Sequence, residues 1–170
     1  MRRNIGYIDY AKLFSRLPSA VAVIQGGNSY PEINGTVRFY EVPMGVVVVA
    51  DIYGLPTSEE KCGNPIFAFH IHEGTSCTGN EDDQFADTKG HYNPNMCEHP
   101  YHAGDMAPLF SSDGVAFLAF LTDRFTINEI IGKTVVIHEH PDDFMTQPSG
   151  NSGKKIACGT IGYVRRGRQN

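Results

Sequence analysis

Several things are missing from this 170-residue chain, and each absence removes a class of function. No apolar run approaches the length needed to cross a membrane as a helix. No cluster of lysine and arginine occurs before the tail Arg165, Arg166, Arg168, and the net charge is −5, so nucleic acid is not the main partner. The four cysteines, Cys62, Cys77, Cys97 and Cys158, form no Cys-x-x-Cys pair, which argues against a zinc ribbon or a thioredoxin-type redox site. The basic start Met1-Arg2-Arg3 is not followed by the apolar stretch and small-residue cleavage site of a signal peptide. As written, the chain reads as cytoplasmic, or as periplasmic or extracellular if a signal peptide has been removed.

What is present is β texture. Eighteen glycines and ten prolines break the chain into short segments. Apolar and β-branched runs fall at Ala20–Gln25, Thr36–Val42, Gly45–Leu55, Pro65–Glu73, Gly114–Asp123, Thr134–Glu139 and Lys155–Val164. Short strands at this spacing predict an all-β fold, an eight-stranded antiparallel Greek-key barrel or sandwich. Short helices are expected around Tyr7–Phe14 and Thr126–Ile131. Residues 1–19 read as an N-terminal extension, 20–164 as the domain and 165–170 as a basic tail. Two stretches, 74–113 and 140–154, lack strand character, and loops of that length in a compact domain usually carry function.

All seven histidines stand in or beside those loops, and six of them fall into patterns suited to metal. In Phe69-His70-Ile71-His72 the strand alternation puts His70 and His72 on one face, with Phe67, Phe69 and Ile71 anchoring the other. Alone, this pattern also fits two half-exposed histidines. Further on, His91, His99, His102 and Asp105 follow one another at steps of eight, three and three. Three imidazoles and a carboxylate make a complete tetrahedral zinc shell, with no position open for water, so such a site would be structural. His138 closes the strand Val135-Val136-Ile137 and supplies another nitrogen for the face of His70 and His72. An imidazole-rich shell without cysteine suits copper in both oxidation states.

In order along the chain, Gly54-Leu55-Pro56, Phe69-His70-Ile71-His72-Glu73, Gly90-His91-Tyr92-Asn93-Pro94, His102-Ala103-Gly104-Asp105, Ile137-His138-Glu139, Gly150-Asn151-Ser152-Gly153 and Ala157-Cys158-Gly159-Thr160 closely resemble the copper/zinc superoxide dismutase family, bacterial type, over nearly all of 20–164. The resemblance implies copper at His70, His72, His91 and His138, and zinc at His91, His99, His102 and Asp105, with His91 bridging the two. It implies that Asp142 links a copper-ligand histidine to a zinc-ligand histidine, and that Cys77 and Cys158 form a disulfide. The implied activity is disproportionation of superoxide by Cu(II)/Cu(I) cycling, with His91 passing a proton. Lys155 stands where the family has an arginine that guides the anion, and Lys154 could add to it. Lysine keeps the charge but lacks arginine's planar fork. Cys62 and Cys97 fall outside the shared pattern and are candidates for a second disulfide. His140 reads as a surface histidine. The implied partner is the superoxide anion, with neither nucleic acid nor membrane; a homodimer is compatible with the family. Two rival readings are a copper- and zinc-buffering protein without turnover and a zinc-only structural module. Retention of His70, His72 and His138 speaks against the second.

Overall fold

A computed structural model describes residues 7–60, 63 and 66–164. The chain begins with a short helix α1 (Tyr10–Phe14) and then forms β1 (Ala20–Gly26), β2 (Asn34–Val42), β3 (Gly45–Tyr53), β4 (Ile66–Phe67), β5 (Phe69–His72), β6 (Leu109–Ser112), β7 (Val115–Thr122), a single helical turn α2 (Ile127–Ile130), β8 (Thr134–His138) and β9 (Lys155–Tyr163). Every strand pairing is antiparallel, and the order across the sheet is β4-β6-β7-β3-β2-β1-β9-β8-β5. The strands β1, β2 and β3 are joined as consecutive hairpins; the pairings of β3 with β7 and β1 with β9 are the crossovers that make the barrel a Greek key. Among the described residues, no helix is long and apolar enough to cross a membrane.

Nine strands stand where eight are expected, because the first histidine-bearing strand is interrupted. Ala68 leaves the ladder and pairs instead with the end of β8: its amide donates to His140 O at 2.8 Å and its carbonyl accepts from the His138 amide at 2.9 Å. The run therefore changes partners, β4 pairing with β6 and β5 with β8. β6 lies inside a stretch expected to be loop.

The central core is filled from alternate positions of facing strands, with Ile24, Phe39, Val48, Ile52, Phe69, Ile71, Ile137 and Ile156 almost fully buried. β3 departs from simple alternation. Val46, Val48, Ala50 and Ile52 enter this core, while Val47 and Val49 point outward and are buried too. Leu13 of α1, with Ile8, covers them together with Tyr40 of β2. The valine run is thus continuous because both faces of β3 are covered. Helix α1 is held at its start by Asp9, whose Oδ1 accepts the Lys12 amide at 3.0 Å.

Candidate metal centre

Three segments bring the histidines together. β5 supplies His70 and His72, the end of β8 supplies His138, and the 73–108 loop supplies the rest. That loop does not wander. It runs back beside β5, so His91 pairs with His72 and Asp105 with His70 as isolated antiparallel bridges. The Ile71 amide donates to Gly104 O at 2.9 Å, the Tyr92 amide to Ile71 O at 2.8 Å and the Glu73 amide to Gly90 O at 2.9 Å. Gly104 is required here, since a Cβ would lie 2.2 Å from Ile71 O. The loop is further tied by Arg124, whose guanidinium donates to the carbonyls of Pro100 at 3.0 Å and Asp105 at 3.2 Å.

Two clusters result. Ligand atoms of His70, His72, His91 and His138 lie within 4.8 Å of one another, as do those of His91, His99, His102 and Asp105. All seven residues are buried. His91 belongs to both. Its Nδ1 lies 2.7 Å from Asp105 Oδ1 and 3.4 Å from His102 Nδ1, while its Nε2 is buried without a hydrogen-bond partner.

Hydrogen bonds to the far nitrogens decide which atom of each ring is left free. Asp142 lies between the clusters: His70 Nε2 donates to its Oδ2 at 2.7 Å and His99 Nε2 to its Oδ1 at 2.8 Å. This leaves a lone pair on Nδ1 of both rings, and both atoms are buried without a hydrogen bond. His72 Nδ1 donates to Lys89 O at 2.9 Å, and His138 Nδ1 to Gly153 O at 3.4 Å. The Nε2 atoms of His72 and His138 then carry lone pairs that face each other at 3.1 Å. Lone pairs converging in a dry pocket repel unless a cation lies among them, so the donor set fits two metal ions.

The electrostatics agree. Burial, reinforced by neighbouring histidines, holds His70 and His72 well below the usual imidazole range, and burial with His91 lowers His138 to about 3. These rings are neutral at physiological pH, as ligands must be. For Asp105, burial pushes the pKa up, but the hydrogen bond from His91 and the surrounding rings outweigh it, and the carboxyl stays below its ordinary value.

The family model described as copper/zinc superoxide dismutase matches residues 33–161. The chain belongs to the copper/zinc superoxide dismutase family. Among curated superoxide dismutases [Cu-Zn], it is 34% identical over 149 residues to number 2 of Aquifex aeolicus, covering 79% of this chain and 82% of that protein. The protein of Legionella pneumophila is 32% identical over 139 residues, covering 77% of this chain and 79% of its own length. That of Deinococcus radiodurans is 30% identical over 148 residues, covering 76% and 78%. Membership of this family gives copper and zinc as the cofactors, and the two clusters offer donors for both.

Other expected site residues are placed as follows. Cys77 and Cys158 are joined by a disulfide across a separation of 81 residues, which ties the metal loop to β9 beside Phe85 and Val136. Cys97 is exposed with a free thiol, and Cys62 lies outside the described residues. His140 is largely exposed. Lys155 sits at the start of β9, opposite His138, with its ammonium bonded to Asp83. Sequence reasoning missed Asp83 and Arg124, and it noted Gly150 in a motif without the contact that Gly150 makes with Asp142. For Gly150 a signal existed, because a glycine followed by Asn-Ser-Gly marks a tight turn. A Cβ on Gly150, at φ +67°, would lie 2.0 Å from Asp142 Oδ1 and 2.7 Å from His99 Nε2.

Proposed function

We propose that this chain disproportionates superoxide, 2 O2•− + 2 H+ giving O2 and H2O2, with copper at His70, His72, His91 and His138 and zinc at His91, His99, His102 and Asp105. The observation that carries the assignment is His91, the ring common to both clusters, whose Nδ1 is bonded to Asp105 and whose Nε2 is buried without a partner. When bound, copper would supply the one-electron couple needed to oxidise one superoxide and reduce another, and zinc would supply a fixed positive charge.

The protein residues do the rest. Lys89 O and Gly153 O fix His72 and His138 in the tautomer that offers Nε2, and Asp142 fixes His70 and His99 in the tautomer that offers Nδ1. His91, whose Nε2 is buried without a hydrogen-bond partner, would hold a proton at that atom and pass it to the peroxide product. Lys155, beside His138, draws the anion toward the cleft. The disulfide is compatible with an oxidising compartment, periplasmic or extracellular.

The test combines elemental analysis with superoxide turnover on copper-loaded protein. One copper and one zinc per chain with catalytic turnover is expected; two metals per chain without turnover would support a metal-buffering protein instead. His138→Ala should abolish turnover and keep zinc. Persisting activity would refute the copper assignment.

A further inference from the structure

The guiding cation is not free. Lys155 Nζ donates to Asp83 Oδ2 at 2.7 Å and to Phe85 O at 3.1 Å, and its side chain is only 16% exposed. Asp83 is itself built in. Its Oδ1 accepts the Phe85 amide at 2.9 Å, its own amide donates to Asn80 Oδ1 at 2.9 Å, and its carbonyl accepts from Asn80 and Ala86, each at 3.0 Å. Both residues line a cleft of about 490 Å³ together with Lys154 and Gly153, the residue whose carbonyl orients His138. Burial pushes the Asp83 carboxyl up, but the hydrogen bonds from Lys155 and the Phe85 amide outweigh this, so it is ionised at neutral pH.

We infer that Asp83 is a positioning residue for the proposed dismutase reaction: it pins the Lys155 ammonium to the wall of the cleft and offsets its charge, setting how strongly the copper centre attracts small anions. An incoming monoanion meets an ion pair, whose field falls off faster than that of a bare ammonium. Asp83 therefore restrains anion binding, and it does so through Lys155 and not by bulk repulsion from the acidic loop that holds Glu81 and Asp82.

This rests on the proposed copper site, and the experiment separates the two. Azide, a small monovalent anion, is titrated into copper- and zinc-loaded protein and followed by the copper absorption band. Asp83→Asn should tighten azide about threefold to tenfold at low ionic strength, with the gain fading toward ~1 M salt, where the screening length is ~3 Å. Asp82→Asn should have a smaller effect. Lys155→Met, which keeps the aliphatic stem, should weaken azide, and Asp83→Asn added to it should bring no further gain. In metal-free protein, acylation of Lys155 by an amine-reactive ester, read by peptide mass spectrometry, should be severalfold faster in Asp83→Asn, because Nζ loses the carboxylate that holds it against the wall of the cleft. An unchanged azide affinity in Asp83→Asn while Lys155→Met weakens it overturns the role of Asp83 alone. An equal gain in the Lys155→Met background also overturns it. No response to Lys155→Met overturns this inference together with the guiding role of Lys155.

Discussion

Removing the metals should turn the histidine cluster into an acid-sensitive fault in the barrel. In the metal-free protein His70, His72 and His138 are buried, and burial lowers all three below the ordinary histidine value near 6.5. The unfolded chain takes up protons at these positions as pH falls below about 6.5, whereas the folded chain does not. Stability is therefore fully present above that pH and declines as pH drops toward the folded value, which for His138 is about 3. By pH 5 His138 alone costs about 2 kcal/mol, and His70 and His72 act in the same direction, so the loss is a large share of an ordinary domain's stability. Urea unfolding of chelator-treated protein between pH 7.5 and 5 measures this directly. The midpoint should fall steeply with acid, and His72→Gln should make the slope shallower. Metal-loaded protein should hold its midpoint to lower pH, because the same nitrogens are occupied. A metal-free midpoint that is flat or rises from pH 7.5 to 5 would refute the argument that burial keeps these rings neutral.

Other outcomes follow from single features. Replacing both Cys77 and Cys158 by serine should cost about 4–5 kcal/mol, the chain-entropy value for a closed loop of 81 residues, read as a loss in unfolding free energy under non-reducing conditions. Gly150→Ala should lower zinc affinity by at least tenfold in a chelator competition, because the new methyl displaces Asp142 from His99 and the residue must also hold a positive φ. Leu13→Ala should cost about 2 kcal/mol in unfolding free energy with metal content unchanged, since Leu13 packs on Tyr40, Val47 and Val49 in a cluster separate from the main core.

Much of the centre was legible because its chemistry is local. His70 and His72 are two apart on one strand, and three zinc donors stand at steps of three within one loop, so strand geometry and spacing alone place them near one another. The valine run and the glycine breaks announced most strands for the same reason. What escaped was set by distant partners. β6 is four residues ending in two serines, too short and too polar for a periodicity signal, and it exists because β7 and β4 pair with it. The break at Ala68 has no local cause, since alanine tolerates a strand; it follows from the end of β8 taking over its backbone bonds. Asp83 looked like one more acid in a polar run, and its partner lies 72 residues away. A short helix around Tyr7–Phe14 could be read, but that α1 covers the outer face of β3 could not.

The break at Ala68 also bears on how this protein avoids its own copies. The sheet order begins with β4 and ends with β5, so its two outermost strands are neighbours in sequence with one residue between them. A sheet normally leaves two rows of unpaired backbone groups on which another chain can build. Here one stretch joins the two ends: β4 pairs with β6, Ala68 bonds to His138 and His140, and β5 pairs with β8, while the outer side of β5 is covered by the metal loop, whose Gly90 and Gly104 carbonyls accept the Glu73 and Ile71 amides. For two chains to pair edge to edge at β5, the loop that carries His91, His99 and His102 would have to peel away. Guarding that edge and holding the histidine cluster are thus tasks of one loop, and lifting it would undo both at once.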